Sequence, residues 1–330
     1  MARYNDQGYA AFTRALDGEI SAFYNNIHGY ASEKTKRTEV VQRLRRFFTD
    51  NWSDIRVEAF GSSVTESGLP SSDVDVVVVV PTRYSNASDP AGCLRAFQSV
   101  MSNGNSYALV PVNLISSANV PVLKVRDQRT QLTLDISCMK EGSVHRGLQN
   151  TEWIQSRIRQ YPSVPRLVVV LKELLRRHQR TDINSGGISS YVLTLMVVGF
   201  VMKRQNTGDN LGDLLLRFLK YFGQDFNYRD HAIMMAQDGD VVNKSDLRRV
   251  LDEEPSTLLC IQEPLDAGKD AAKTSERGVL AVKAIFSDAY NRLNRLIPAA
   301  HDRYYNTIRS NLLGEMFSEN KCGFTLSRPL

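Results

Sequence analysis

The chain has 330 residues, of which 42% are hydrophobic and 23% charged, and its formal net charge is +5. This length is enough for two domains with their own cores, and the composition excludes a disordered or fibrous chain. The sequence has no apolar run long enough to cross a membrane, and its four cysteines have no paired spacing that would imply a zinc site or a disulfide framework. The modest positive charge favours a polyanionic partner.

Two amphipathic helices are predicted before the first strand. Apolar side chains recur at helical spacing over residues 5–27 and again over residues 32–51. The second of these helices carries four arginines: Arg37, Arg43, Arg45 and Arg46. Arginines on such a helix most often form a solvated face, so we expect these four to face water.

The most informative stretch runs from Val57 to Val80, VEAFGSSVTESGLPSSDVDVVVVV. A run of valines favours a buried strand, and residues two apart on a strand share a face, so Asp73 and Asp75 point the same way. Two neighbouring carboxylates repel each other unless a cation lies between them, and oxygen ligands suit Mg²⁺. A Gly-Ser pair is by itself more often an ordinary turn. Before two such aspartates, however, Gly61-Ser62 predicts a phosphate-binding turn beside a metal site.

A helix and three strands are predicted next. The helix covers residues 88–103, and the strands cover residues 107–115, 120–125 and 131–136. The last strand ends near Asp135. An aspartate there is an ordinary surface residue in many proteins, but beside Asp73 and Asp75 it would complete a two-metal site.

Long helices dominate from Asn150 onwards. Helices are predicted to start near residues 151, 165, 189, 211, 271 and 301, with one strand over residues 258–265. The apolar segment YVLTLMVVGFVM is much shorter than the roughly 20 residues of a membrane span, so it predicts a core helix.

The motifs resemble a known family. Gly-Ser followed by Asp-x-Asp is similar to the nucleotidyltransferase superfamily that includes DNA polymerase β. Over residues 55–295, the segments DISCMKEGSVHRGLQNT, PRLVVVLKELLRRH, GGISSYVLTLMVVGFV, NLGDLLLRFLKYFGQDFNY and LLCIQEPLDAGKDAAKTS follow the motif order of template-independent RNA nucleotidyltransferases. That family includes the Trf4-like poly(A) polymerases and the terminal uridylyltransferases. The compact chain most resembles the minimal uridylyltransferases of trypanosomes.

The resemblance implies an α/β (α+β) fold in which a palm-like mixed sheet with helices is followed by a mainly helical second domain. We expect a catalytic domain over residues 33–145. The helical domain would cover residues 146–330, with the N-terminal helix of residues 1–32 packed on it and the nucleotide cleft between the two domains.

The resemblance also implies roles for individual residues. Asp73, Asp75 and Asp135 would hold two Mg²⁺ ions, for which Mn²⁺ can substitute, and would be the catalytic residues. The nucleotide would be bound by Gly61, Ser62, Asn150, Thr151, Lys172, Arg176, Ser190, Tyr191 and Asp288. Glu276 and Asp270 are further candidates for reading the base. The ordinary alternatives are a core tyrosine for Tyr191, solvated side chains for Lys172 and Arg176, and a helix cap for Asn150.

The implied reaction is addition of UMP from UTP to RNA 3′ ends with release of pyrophosphate. The alternatives are a Trf4-like poly(A) polymerase that uses ATP and a catalytically dead RNA-binding module; the presence of all three aspartates argues against the second. RNA contacts are expected from Arg126, Arg129, Lys140 and Arg146, with a solvated face as the alternative.

We expect a monomer that acts in a larger RNA-processing complex, without a membrane partner. The expected compartment is cytoplasmic. The acidic residues near the N-terminus do not suit a transit peptide, so a mitochondrial location would require a longer precursor.

Overall fold

The computed structural model describes residues 6–28, 31–84, 87–104, 107–118, 120–204, 210–297 and 311–318. The chain forms two compact units, which we call the sheet unit (residues 24–165) and the helical unit (residues 1–23 together with 166–330). A mixed sheet with helices and a mainly helical second unit confirm the predicted fold class. The predicted domain limits, residues 33–145 and 146–330, stay predictions, because packing units and functional domains need not share boundaries.

The sheet unit is built on five strands in the order β1-β2-β5-β4-β3. The strands are β1 Arg56–Ala59, β2 Val74–Val80, β3 Leu109–Ile115, β4 Val122–Asp127 and β5 Thr133–Lys140. β2 and β5 run parallel, and the other neighbouring pairs are antiparallel. The sheet is therefore mixed, with the valine strand and the Asp135 strand adjacent near its centre.

The two faces of this sheet differ sharply, because side chains alternate along each strand. On one face, alternate residues of β2 and β5, such as Val76 and Ile136, pack into a core with helices α2 (Ala31–Asn51) and α3 (Pro90–Asn103). Asp75 and Asp135 occupy the intervening positions and so share the opposite face. The apolar face anchors the sheet. On the opposite face, the polar positions are Asp75 and Asp135 near the start of the two strands, while Val77 and Val79 further along are buried.

Two of the four α2 arginines, Arg45 and Arg46, are exposed as expected, but Arg37 and Arg43 are partly buried, which corrects the expectation for those two. The Arg43 guanidinium donates to both carboxylate oxygens of the fully buried Asp127, at 3.0 and 3.3 Å. Arg45 Nε donates to the Val57 carbonyl at 3.1 Å. Arg37 binds the loop before β2, as described below. These side chains bind carboxylates and carbonyls from other segments of the chain. A helical pattern in the sequence does not show such partners.

The remaining α-helices of the described residues are α1 Asp6–His28, α4 Arg146–Gln160, α5 Ser163–Arg177, α6 Ser190–Arg204, α7 Leu211–Lys220 and α9 Val279–Leu296, with the short α8 Lys244–Leu247 and α10 Leu312–Phe317. Every residue of α6 from Val192 to Met202 is buried, which confirms the predicted core helix. Within the described ranges, none of the helices has the length and apolar character to span a bilayer.

The first part of α1 packs within the helical unit. Tyr9 Oη donates to Asp213 Oδ1 at 2.5 Å, and Asp17 accepts the Leu211 N–H at 2.7 Å at the start of α7. Glu19 accepts the first two N–H groups of α10, from Leu312 and Leu313, at 2.9 and 2.8 Å. A carboxylate at a helix N-terminus satisfies donors that have no partner inside the helix.

Several elements of the helical unit differ from expectation. A hairpin of β6 His231–Met234 and β7 Asp240–Asn243 was not predicted. The strand predicted over residues 258–265 is reduced to β8 Gln262–Glu263, which pairs with β9 Asp266–Asp270. The helix predicted from residue 271 begins at Val279. Of the helix predicted over residues 301–317, residues 301–310 lie outside the described residues, and α10 covers the end.

Candidate active site

The register of the central strands brings the three aspartates to one edge of the sheet. Asp75 on β2 is the direct neighbour of Asp135 on the parallel strand β5. Asp73 immediately precedes β2 and, two residues from Asp75, belongs to the same face. The expected convergence therefore follows from strand pairing.

A lysine that the motifs did not single out joins two of these carboxylates. Lys124 on β4 is paired with Asp135 across the antiparallel β4–β5 ladder. Its ammonium lies 2.7 and 2.8 Å from the two Asp135 oxygens and 3.0 Å from Asp73 Oδ2. Asp73 and Asp135 thus share one cationic centre.

Burial and charge act against each other at this centre. Burial raises the pKa of Asp135 above its ordinary value, although the neighbouring Lys124 acts in the opposite direction. Burial also works to lower the pKa of Lys124, but its hydrogen bonds to Asp135 and Asp73 outweigh that effect and raise the pKa. Lys124 therefore stays charged and holds the carboxylates together.

The Gly61-Ser62 turn lies directly beside Asp75. Gly61 has a φ of +68°, a conformation that favours glycine, and a Cβ at that position would lie 2.5 Å from Asp75 Oδ2. The Phe60 N–H donates to the Asp75 carbonyl at 3.0 Å. Ser62 is half-buried, and its hydroxyl makes no hydrogen bond to any of the described residues. The Gly61-Ser62 turn and the aspartate-bearing strand β2 therefore form one structural unit.

Helix α4 supports this turn from the other side. Thr151 is 5% exposed, and its hydroxyl accepts the Gly61 N–H at 2.8 Å and donates to the Gly147 carbonyl at 2.7 Å. Thr151 therefore positions Gly61. The Oδ1 atom of its neighbour Asn150 is buried and finds no hydrogen-bond partner among the described residues. A buried polar atom without a partner is costly, so Asn150 is suited to accept a hydrogen bond from a ligand.

Arg37 of α2 holds the loop between the turn and β2, a role that sequence reasoning missed. Its guanidinium donates to Ser63 Oγ at 3.2 Å and to the carbonyls of Leu69, Pro70 and Ser72 at 2.9, 3.3 and 2.9 Å. Burial lowers the pKa of Arg37, while attraction to acidic neighbours that include the active-site carboxylates opposes that effect. Arg37 thus adds positive charge to the same edge of the sheet.

In the helical unit, α5 carries the predicted phosphate-binding cations. Lys172 is only 3% exposed. Glu173 accepts from Arg176 at 2.7 and 2.8 Å and from Arg177 at 2.8 Å. Burial alone would raise the pKa of Glu173, but these two arginines lower it below its ordinary value. Arg176 is therefore held by Glu173 on the same helix.

Ser190 and Tyr191 begin α6. Ser190 is exposed, and the Tyr191 ring is half-buried. The Tyr191 hydroxyl donates to Glu263 Oε1 at 2.6 Å. Tyr191 is thus neither a plain core residue nor a freely rotating one, because a carboxylate fixes the end of its ring.

The late acidic candidates all have partners. Asp288 binds Arg292 one turn along α9, at 2.8 Å. Glu276 accepts the Thr257 N–H at 2.7 Å. Asp270 is 5% exposed and accepts backbone N–H groups from Ser256, Ile261 and Ala272 at 2.9, 3.1 and 2.9 Å, which gives it a structural role.

The donor set fits Mg²⁺. Within the described ranges, no three acidic, histidine or cysteine side chains surround a single point closely enough to hold a metal. Instead, a cationic ammonium bridges Asp73 and Asp135. Mg²⁺ is commonly bound by one or two carboxylates together with substrate phosphates, so a pair of carboxylates that already shares a cation suits it. Asp73 and Asp135, with Asp75 beside them, would hold the ion.

Two family models match the chain. The central palm domain of mitochondrial-like poly(A) RNA polymerases matches residues 16–156, and the Cid1 family poly A polymerase model matches residues 210–269. The first match contains all three aspartates, the Gly61-Ser62 turn and Thr151.

Curated relatives agree with these matches. A Drosophila melanogaster protein described as an inactive poly(A) RNA polymerase, Trf4-2, is 32% identical over 306 residues, which cover 90% of this chain and 73% of that protein. Poly(A) RNA polymerase cid14 of Schizosaccharomyces pombe is 30% identical over 298 residues, which cover 88% of this chain and 42% of that protein. The chain therefore spans most of the first relative but less than half of the second.

Solved structures share the fold. The polymerase core of TRAMP, an RNA surveillance complex, matches with a TM-score of 0.78 at 22% identity. The match covers 93% of this chain and 95% of the TRAMP chain. The Cid1 poly(U) polymerase has a TM-score of 0.69 at 18% identity, with coverage of 84% and 93%. The fold and the family matches place the chain in the nucleotidyltransferase class. The chain belongs to the family of non-canonical, Cid1-type poly(A) polymerases. The closer likeness to trypanosomal uridylyltransferases stays a prediction.

Proposed function

We propose that this chain transfers a nucleoside monophosphate from a ribonucleoside triphosphate to the 3′ end of RNA. The observation that carries the proposal is the convergence of Asp73 and Asp135 on one cation, with Asp75 packed against the Gly61 turn. Family membership supports this reaction, and the three aspartates are the groups that it would need.

In the proposed reaction, the RNA 3′ oxygen bonds to the α-phosphorus, the bond to the bridging oxygen breaks, and pyrophosphate leaves. Asp135 would accept the proton of the attacking hydroxyl, and the Gly61-Ser62 turn would bind the phosphates. Asn150 Oδ1 would accept a hydrogen bond from a ribose hydroxyl, which favours ribonucleotides. Mg²⁺ would neutralise the charge that develops on the phosphate oxygens.

The donor nucleotide is the finer part of the proposal. The motif resemblance favours UTP, with UMP as the added unit. ATP is the second candidate, and its support is the naming of both curated relatives as poly(A) polymerases. The Cid1 poly(U) polymerase, by contrast, is described in terms of its UTP selectivity.

Primer extension tests the reaction and the donor together. The chain would be incubated with a 5′-labelled RNA primer, Mg²⁺ and each of the four ribonucleotides, and kcat/KM compared between UTP and ATP. We expect Asp135→Asn to reduce extension by more than about 100-fold. Loss of a residue that only contacts a metal ligand costs up to about 100-fold, and Asp135 would be a ligand itself. Asp54→Asn is the matched control, because Asp54 forms an exposed ion pair with Arg83.

Retained RNA binding without extension by any nucleotide would overturn the proposal in favour of an RNA-binding module. That rival deserves a direct test, because one relative is described as inactive. A monomeric state, a cytoplasmic or mitochondrial compartment, and membership of a larger RNA-processing complex are further proposals. The last is supported by the similarity to the TRAMP polymerase core.

A further inference from the structure

Tyr191 and Glu263 form a specific pair within the helical unit. The phenol of Tyr191, the second residue of α6, donates to Glu263 Oε1 at 2.6 Å, although the residues are 72 positions apart in the sequence. Glu263 is 9% exposed, and the Tyr191 ring is half-buried. The hydrogen bond is therefore partly shielded from water, while Tyr191 as a whole is only half-buried.

The carboxylate end of the pair is rigidly placed. The neighbouring Gln262 is 1% exposed; it accepts the Ala236 N–H at 3.2 Å and donates to the Ala267 carbonyl at 3.3 Å. The β8–β9 pairing adds further hydrogen bonds on both sides of the hairpin. Glu263 therefore projects from a short strand that is paired with β9 and held by its neighbour Gln262.

The tyrosine end is fixed as well. Ser189 caps the start of α6, where its hydroxyl accepts the Val192 N–H at 3.1 Å. The Ser189 N–H in turn donates to Ser275 Oγ at 3.1 Å. The backbone that carries Tyr191 is thus held independently of the ring, and the hydrogen bond to Glu263 sets the direction of the ring.

A hydrogen bond to a charged acceptor is roughly twice as strong as one between neutral groups. A ring that is already held in one orientation loses little freedom when a flat base stacks on it, so binding is tighter. Stacking tolerates any base, because every base has a π face. The carboxylate would thus improve nucleotide binding without touching the nucleotide.

We propose that Glu263 is a positioning residue that fixes Tyr191 as the stacking platform for the base of the ribonucleoside triphosphate. This inference rests on the proposed function and deepens it. It assigns to Glu263 an effect on nucleotide affinity that passes through the tyrosine hydroxyl.

The test is a double-mutant cycle on the full chain with Tyr191→Phe, Glu263→Ala and the combined variant. We expect each single change to raise the KM for the nucleotide about 5-fold, the loss of one hydrogen bond, with kcat nearly unchanged. The combined variant should be no worse than either single variant, because both remove the same bond. Glu263→Gln, which keeps an acceptor, should restore most of the affinity.

A matched pair in the same unit controls for general damage. Tyr9 also donates to a carboxylate, that of Asp213, at 2.5 Å. We expect Tyr9→Phe to lower the melting temperature and to leave the nucleotide KM unchanged. Nucleotide-induced thermal stabilisation of each variant gives a second readout that is independent of turnover.

The outcomes separate the two proposals. Additive effects in the combined variant, or a wild-type KM in Tyr191→Phe, would overturn the inference. If Tyr191→Ala raises KM while Tyr191→Phe does not, stacking stands and the role of Glu263 fails. A wild-type chain that neither binds nor transfers nucleotides would overturn the proposed function and this inference with it. Should Glu263→Ala not fold, the isosteric Tyr191→Phe decides alone.

Discussion

Lys124 faces Asp135 across the β4–β5 ladder, and its ammonium contacts both oxygens of that carboxylate at 2.7 and 2.8 Å. The same ammonium lies 3.0 Å from Asp73. A built-in cation therefore holds the two carboxylates together, so their mutual repulsion does not disturb the sheet edge. Any metal that binds between them must compete with this lysine.

Replacing Lys124 should make the protein more dependent on Mg²⁺. In Lys124→Met, the carboxylates lose their counter-charge, so we expect the free energy of unfolding without Mg²⁺ to fall by about 1 kcal/mol, given that the pair is partly exposed. Added Mg²⁺ should then raise the melting temperature more in the variant than in the wild type, which titration by thermal unfolding measures.

Arg126→Met is the control for this experiment. Arg126 lies on the same face of β4 but binds Thr133 and Gln131 instead of a carboxylate. Its response to Mg²⁺ should match that of the wild type. A Lys124→Met response equal to the control would show that the lysine does not compete with the metal.

Arg37 should control the order of the loop before β2. In Arg37→Met, the carbonyls of Leu69 and Ser72 lose their donor, so we expect a loss of about 1–3 kcal/mol and faster hydrogen exchange over residues 63–72. Arg45→Met on the same helix loses one bond, to Val57, and should leave exchange in this loop unchanged. Unaltered hydrogen exchange over residues 63–72 in Arg37→Met would show that Arg37 does not hold this loop in place.

The RNA path predicted from the sequence can be tested by charge reversal. Arg126 and Arg146 are both exposed in the sheet unit, and Arg126 shares its sheet face with Asp135. Arg126→Glu combined with Arg146→Glu should reduce extension of a long primer more than of a dinucleotide. The salt dependence of RNA binding should weaken as well, since fewer phosphates are neutralised. Equal loss on both primers would place the RNA elsewhere.

His145 should make stability pH-dependent. Its Nδ1 accepts the Leu148 N–H at 3.3 Å at the start of α4, and burial lowers its pKa below the ordinary value of about 6.5. The unfolded chain therefore takes up a proton more readily than the folded one. The contribution of His145 is fully present above about pH 6.5 and is lost as the pH falls through the folded pKa.

His145→Asn should flatten this dependence, because asparagine caps a helix without titrating. Denaturant unfolding gives the free energy of unfolding of both proteins between pH 8 and pH 5. As the pH falls, the wild type should lose more of this free energy than the variant. A constant difference across that range would contradict a titrating cap.

The helices and the central strands were predictable because their signals are local. The valine run and the alternation around Asp135 placed two carboxylates on one face, and strand pairing then had only to bring them side by side. The β6–β7 hairpin was missed, and the strand predicted over residues 258–265 was too long. There, Asp270 binds the N–H groups of Ser256 and Ile261, so a side chain replaces the ladder that a longer strand would need.

The sequence singled out the three aspartates at the sheet edge but not the two cations, Lys124 and Arg37, that contact this edge in the structure. Asp73, Asp75 and Asp135 stand in a motif with fixed spacing, whereas Lys124 is a single lysine on an alternating strand. Only the register of β4 against β5 turns it into a partner of Asp135. For the same reason Arg37 looked like a solvated helix residue: its partners are carbonyls about 30 residues further along the chain, as at Leu69.

In this sheet, the residues that stabilise the fold are different from the residues proposed to carry the reaction. Val74, Val76, Val78 and Val80 of β2 pack in a core that does not include Asp75 or Asp135. The aspartates lie on the opposite face and at the edge, where a change to asparagine leaves that core intact. If the proposed reaction is correct, a duplicated copy of this chain could lose catalysis by one substitution at Asp73, Asp75 or Asp135 and still keep its fold.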